Sequence, residues 1–212
     1  MKRFAFLAVI LFSAYALASA QNDKKPEFFA GYSYESVNSG ITSSDIQTTG
    51  GAQTSLDNRF NLNGFNASGA AYFTRHLGIT GDFSAHFVRR NDFFDTVATR
   101  SKFSLYNLTA GPQYKFSSTG RFTPFTHALF GIAHRNLTET FSDGSDNFID
   151  RTTNFAVNLG GGVDYRLNDR FALRLFQFDY NPIFLRSRTF NSITFPDRTL
   201  NGVRISAGIV IK

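Results

Sequence analysis

Four histidines, His76, His86, His127 and His134, are the natural candidates for acid-base work in a chain that contains no cysteine. A serine activated by such a base, with an acid orienting the ring, would perform acyl transfer or hydrolysis. Within "GITGDFSAHF", residues 78–87, the residues Asp82, Ser84 and His86 fall on alternate positions and so share one face of an extended segment. The opposite face carries Ile79, Gly81, Phe83, Ala85 and Phe87. Asp82, Asp164 and Arg204 fall on the polar side of alternating segments, and Arg174 lies in a less regular one, on the inward side if Leu173 and Leu175 face lipid. No metal-ligand spacing, phosphate loop or nucleotide fingerprint is present, so no metal, cofactor or nucleotide is expected. The triplet Gly160–Gly162 lies within a strand-like segment and is read as a place of close packing.

The elements that must position these residues are strands. Eight alternating segments are expected, at 26–36, 62–73, 77–88, 102–116, 121–134, 153–167, 171–180 and 201–212. Each is close to the ~9 to 11 residues that a tilted membrane-crossing strand needs. "TRH", "SSTG" and "NDR" make tight hairpin turns after the second, fourth and sixth segments. The other connections, roughly 37–61, 89–101, 135–152 and 181–200, are longer and rich in Ser, Thr, Asn, Asp and Gly. Short and long connections therefore alternate. A soluble sandwich has no reason to sort its loops this way, whereas a membrane barrel places short turns at one rim and long loops at the other. A soluble lipocalin-type barrel, with apolar faces turned inward, is the remaining alternative.

The N-terminus supports the membrane reading. Lys2 and Arg3 precede "FAFLAVILFSAYALA", which closes on "ASA"; residues 1–20 are read as a signal peptide and residues 21–212 as the barrel domain. The apolar run of 15 residues is short for a spanning helix, which needs roughly 20. Removal of the leader lowers the basic count from 22 to 20 against 16 acids, a net charge of +4. So small and scattered an excess argues against nucleic acid as a partner.

Facing follows from the alternation. In the sixth segment Phe155, Val157, Leu159, Gly161, Val163, Tyr165 and Leu167 face lipid, against Ala156, Asn158, Gly160, Gly162, Asp164 and Arg166. In the last, Val203, Ile205, Ala207, Ile209 and Ile211 oppose Arg204, Ser206, Gly208, Val210 and Lys212. The second sets Phe65, Ala67, Gly69, Ala71 and Phe73 against Asn66, Ser68, Ala70 and Tyr72. The fifth segment is apolar on both faces in places, with Pro124 near its end. In the seventh, an inward Arg174 leaves Phe176 and Phe178 in the bore unless a bulge intervenes. Tyr72, Phe73, Tyr114, Phe116, Phe122, Tyr165, Phe171 and Tyr180 are read as rings at the headgroup level.

The stretches "PEFFAGYSYES", "NLNGFNASGAAYFTRHLGITGDFSA", "NLTAGPQYKF", "TPFTHALFGIAH", "LGGGVDYRLNDRFALRLFQFDY" and "NGVRISAGIVIK" make the chain resemble the eight-stranded outer membrane β-barrel family typified by the OmpA transmembrane domain and OmpX. The resemblance implies an all-β, eight-stranded antiparallel up-and-down transmembrane barrel in the bacterial outer membrane, inserted by the barrel assembly machinery. Two departures stand out: no peptidoglycan-binding domain follows the barrel, and the last residue is Lys212 where the family usually ends in an aromatic. Barrels that deacylate lipid A would carry a serine two places after His127, and this chain has Leu129 there.

The expected role is structural or one of surface interaction, without catalysis. The alternatives are a small porin-like channel and, less favoured, a lipid-modifying enzyme. Expected partners are outer membrane lipids and an extracellular ligand or surface met by the long loops, with the barrel itself a monomer. Counting outward from "NDR" sets Asp164 opposite Arg174, and from "TRH" sets Asp82 opposite Ser68. Charges confined in so narrow a bore require partners. Asp82, Asp164, Arg174 and Arg204 are therefore expected to form a structural lumen network.

Overall fold

The structure is a computed structural model that describes residues 26–38, 59–94, 97–116, 120–141, 148–190, 193–195 and 197–212. The leader at 1–20 and most of the first long connection lie outside the described residues. The described residues form ten strands: β1 (Glu27–Asn38), β2 (Arg59–Tyr72), β3 (Leu77–Phe94), β4 (Val97–Lys115), β5 (Phe122–Phe141), β6 (Phe148–Arg166), β7 (Phe171–Leu185), β8 (Arg188–Phe190), β9 (Ile193–Phe195) and β10 (Arg198–Ile211). Eight of them close an antiparallel barrel in the order β1-β10-β7-β6-β5-β4-β3-β2, and β8 with β9 forms a separate small hairpin. Closure gives the ladder no edge, so the backbone polar groups along its length pair without water.

Period two decides what faces where. Phe28, Phe65, Ile79, Phe83, Leu108, Phe130, Ile132, Phe155, Leu159, Leu173, Ile205 and Ile209 are exposed on the outside, while the side chains between them are buried in the bore. An apolar exterior around a polar interior is the inverse of a soluble barrel. It rules out the lipocalin-type alternative on the same alternation that left it open.

Three features differ from the sequence reading. First, β3 to β6 are 18, 19, 20 and 19 residues long, against 12 in β1 and 14 in β2. The connection expected at 89–101 is largely strand, with Phe94 paired to Val97. The one at 135–152 likewise contains the Asn136↔Arg151 and Glu139↔Phe148 pairs. Such segments mix charged, polar and apolar residues, as in RRNDFF at 89–94 and RNLTETF at 135–141, so the hydrophobic alternation loses its contrast where the ladder leaves the apolar belt. The backbone pairing continues without it.

Second, Leu175 and Phe176 both point outward, and the register of β7 shifts between Arg174 and Phe176 against β6 and between Arg174 and Gln177 against β10. This is a β-bulge, and it reverses the parity of everything beyond it. Phe176 and Phe178 are thereby outside, at 51% exposure each, where two aromatic rings favour lipid over a bore.

Third, Tyr72 is not a girdle ring. It turns toward the bore, where Gln113 donates to its hydroxyl and the Lys115 ammonium lies 4.5 Å from its ring centroid. Arg166 also leaves the bore, bonding the Gly120 carbonyl at the short-turn rim.

Candidate functional site: the filled bore

The short turns at "TRH" and "NDR" place the lower bore residues. Leu167 and Phe171 close the hairpin around Asn168, whose side chain accepts from the amides of Arg170 and Phe171. Counting up from this turn brings Asp164 opposite Arg174. Arg174 Nε donates to Asp164 Oδ1 at 2.8 Å and Nη2 to Oδ2 at 3.2 Å, a two-pronged pair. The guanidinium carbon of Arg174 lies 4.3 Å from the Phe29 ring centroid and 4.2 Å from that of Phe125, so the cation is held between two aromatic faces.

The pair does not stand alone. Arg174 Nη1 donates to Gln177 Oε1 at 2.6 Å, and Gln177 Nε2 donates to Asp179 Oδ2 at 2.7 Å. Arg204 donates to the same Asp179 oxygen from Nε at 2.9 Å and from Nη2 at 2.8 Å, and its Nη1 reaches Asp82 Oδ1 at 2.9 Å. Asn66 then donates to Asp82 Oδ2 at 2.8 Å. His127 Nε2 lies 2.8 Å from Asp179 Oδ1. The four charges singled out in the sequence are thus brought into one connected system. Asp164 pairs with Arg174, Asp82 with Arg204, and Gln177 with Asp179 joins the two halves. Ser68 pairs with Asp82 across β2 and β3, the register counted from "TRH".

Asp179 is the residue that sequence reasoning missed. Without the bulge, an inward Arg174 puts Asp179 on the lipid face, because the two differ by an odd number of positions. The available signal was an implausible face: two phenylalanines inside and Gln177 with Asp179 outside. Room for Asp179 comes from β6, since a Cβ added at Gly160 would lie 2.1 Å from Asp179 Oδ1. One at Gly162 would meet the Phe125 ring at 3.0 Å. Close packing does account for those two glycines.

Beside this network lies a second polar group built from β1, β3, β7 and β10, in which Glu35 pairs in register with Arg204 and Ser33 with Ser206. His86 Nε2 is 2.8 Å from Ser33 Oγ. Its Nδ1 is 2.9 Å from Glu35 Oε2, though off the line of a straight hydrogen bond. Ser206 Oγ donates to Ser33 Oγ at 2.9 Å, and Asn181 Nδ2 donates to Glu35 Oε1 at 3.2 Å. The connectivity is that of a serine, a base and an orienting acid, but with different members from those suggested by "SAH". Ser84 instead accepts from Asn107 at 3.3 Å. Ser33, Glu35 and His86 are all 0% exposed, so no substrate carbonyl can approach the hydroxyl. Asn66 and Asn107, whose triplets match a glycosylation pattern, are buried too.

The outer bore is closed by a different material. Val37, Leu62, Phe103, Leu105, Ala133, Ala156, Ile183 and Leu200 form one apolar cluster, each no more than 4% exposed. Phe60 and Phe103 stack with centroids 4.9 Å apart. At the short-turn end Glu27 pairs with Lys115 and approaches Lys212 at 3.6 Å. His76, at the "TRH" turn, bonds the Lys115 carbonyl at 2.8 Å, and His134 bonds Thr153 on the outside. Among the described residues no group of three or more His, Cys, Asp or Glu is arranged to hold a metal ion.

Comparison with known proteins gives the same architecture. The family described as outer membrane protein beta-barrel domain matches residues 4–207. No curated protein matches the sequence. Among solved structures, Neisserial surface protein A aligns with a TM-score of 0.57 at 14% identity, over 90% of this chain and 99% of that one. Ail, the attachment invasion locus protein of Yersinia pestis, in complex with the heparin analogue sucrose octasulfate, aligns with a TM-score of 0.53 at 15% identity, over 89% of this chain and 99% of that one. At these identities the likeness is one of fold.

Proposed function

Because the chain belongs to the outer membrane protein beta-barrel family, and so resides in the bacterial outer membrane, we propose that it is a sealed barrel whose work is done at its long-loop rim. The barrel anchors and presents those loops to a surface or ligand outside the cell; it neither conducts solutes nor catalyses. One observation carries this reading: the bore is filled twice, by the charged network below and by the Val37–Leu200 apolar cluster above. An eight-stranded barrel leaves an interior just wide enough for side chains to fill. A continuous water path would have to displace both layers. The Ser33, His86 and Glu35 group is better explained as buried hydrogen bonding than as a nucleophile, because it lies beneath the apolar layer.

The same reading makes residues 1–20 a leader cleaved after Ala20, insertion the task of the barrel assembly machinery, and the mature barrel a monomer. Since Ail has been solved with sucrose octasulfate, a sulfated sugar is the first ligand to offer the rim. The deciding experiment is reconstitution of the mature chain in planar bilayers, with retention on immobilised sulfated glycans measured in parallel. A silent bilayer and loop-dependent retention on such a surface support the proposal; a steady open conductance overturns it.

A further inference from the structure

Four carboxylates are buried in the bore among the described residues, and they are compensated unequally. Asp164 pairs with Arg174, and Asp82 and Asp179 both pair with Arg204. Glu35 is as deeply buried, yet among the described residues it pairs with no lysine or arginine. Its neighbours are His86 Nδ1, 2.9 Å away and off the hydrogen-bond line, and two carboxamides. Asn107 Nδ2 donates to Glu35 Oε2 at 3.4 Å, and Asn181 Nδ2 to Oε1 at 3.2 Å. Both bonds are long for a carboxylate acceptor, where about 2.7 to 2.9 Å is usual. A charge held this far from water calls for a closer counter-charge.

An ionised carboxylate only accepts, so Glu35 fixes how both asparagines stand: amide nitrogens toward β1, carbonyl oxygens away from it. Asn107 Nδ2 is held a second time by the Ser84 hydroxyl at 3.3 Å. The oxygens so turned, Asn107 Oδ1 and Asn181 Oδ1, meet no donor among the described residues, and neither do Thr109 Oγ1 and Asn158 Oδ1. None of these four residues is more than 4% exposed. Register gathers them on one side of the bore. Thr109 follows Asn107 on the same face of β4, and Asn158 adjoins Asn181 across β6 and β7, since Leu159 pairs with Tyr180. The closed order sets β5 across the barrel from β1, with β4 and β6 beside it. There Thr109 pairs with Gly131 and Gly131 with Ala156, so the wall that the oxygens face carries a hydrogen and a methyl at these positions.

We propose that Asn107 Oδ1, Thr109 Oγ1, Asn158 Oδ1 and Asn181 Oδ1 hold a sodium ion inside the bore, with Glu35 behind the two asparagines as its counter-charge. Amide and hydroxyl oxygens suit a hard cation, and carbonyl oxygens can replace part of its hydration shell. The charge selects its valence: one uncompensated carboxylate is balanced by one positive charge, whereas a divalent ion would leave an excess charge in a medium that penalises it. The ion is structural. It enters as the barrel closes and stays between the Asp164–Arg204 network and the apolar cluster, so it needs no conducting path and does not depend on what the rim binds.

The mature chain is folded into phosphatidylcholine vesicles in sodium chloride or in N-methylglucamine chloride of equal ionic strength, and unfolded with urea. For one site, each tenfold rise in sodium above its dissociation constant should raise the folded-to-unfolded ratio about tenfold, and N-methylglucamine should have no such effect. Barrel folded in radioactive sodium should retain it through desalting. Asn158→Leu and Glu35→Gln should each abolish the sodium response, whereas Leu105→Ala, in the apolar cluster, should keep it while being less stable. Should neither polar variant fold, retention of radioactive sodium by the wild-type barrel decides alone. Equal stability in the two salts with no sodium retained overturns the site and assigns the compensation of Glu35 to a proton. A sodium response that persists in both Asn158→Leu and Glu35→Gln overturns it as well, by placing the ion elsewhere.

Discussion

The inner and outer halves of the bore occupy the same barrel and obey the same alternation, yet they are filled in opposite ways. Near the short turns the interior is a chain of charge-assisted bonds from Asp164 through Arg174, Gln177, Asp179 and Arg204 to Asp82. Near the long loops it is Leu62, Leu105, Ile183 and Leu200 in apolar contact. The difference teaches how each half responds to damage. In a polar network each member leaves a stranded partner when removed, so the loss is discrete and large. An apolar cluster loses transfer energy and gains a cavity, in proportion to what is deleted.

Arg204 offers the sharpest way to break that comparison, because it holds both Asp82 and Asp179 while being 0% exposed itself. Arg204→Ala should lower barrel stability by about 3 to 5 kcal/mol, read by urea unfolding in lipid vesicles. Leu105→Ala, equally buried in the outer half, should fall within about 2 to 5 kcal/mol and below the Arg204 variant. If the two losses were equal or reversed, the contrast between the halves would disappear.

A reference outside the bore sharpens it further. Leu159 and Ile205 face outward at 44% and 48% exposure, and an arginine at either should cost about 2 to 4 kcal/mol in the membrane. Tolerance at Leu159 matching that of an outer-loop position would contradict the lipid face. Within the network, a double-mutant cycle on Asp164→Asn and Arg174→Gln should reveal coupling above about 0.5 kcal/mol by the same unfolding assay. The corresponding cycle on Leu62→Ala and Arg174→Gln, across the two halves, should be additive. Smallest of all, an epitope inserted near Gly50, outside the described residues, should leave the unfolding midpoint unchanged and be reachable by antibody on intact cells.

Much of the molecule was legible in the chain because strand facing is a local property. Alternation at 79–87, 155–167 and 203–211 assigned inside and outside, and turn counting from "TRH" and "NDR" produced the Ser68↔Asp82 and Asp164↔Arg174 pairs. Hairpin register needs only the turn and the two strands beside it. The extra length of β3 to β6 was not legible, since above the apolar belt charged, polar and apolar residues are mixed and the period-two signal loses its contrast.

What only the tertiary structure decided is everything that crosses the bore. Arg204 and Asp82 are 122 residues apart, and His86 with Ser33 are 53 apart; these contacts exist because the sheet closes on itself and side chains from facing walls meet. No local count contains that closure. The bulge at Leu175 and Phe176 adds one residue to β7, turns Asp179 inward, and so joins two charge pairs that alternation alone would have kept apart. The sequence determined by itself which residues are polar and on which side of each strand they fall. Closure and one extra residue determined which of them touch, because those depend on the walls opposite rather than on the neighbours in the chain.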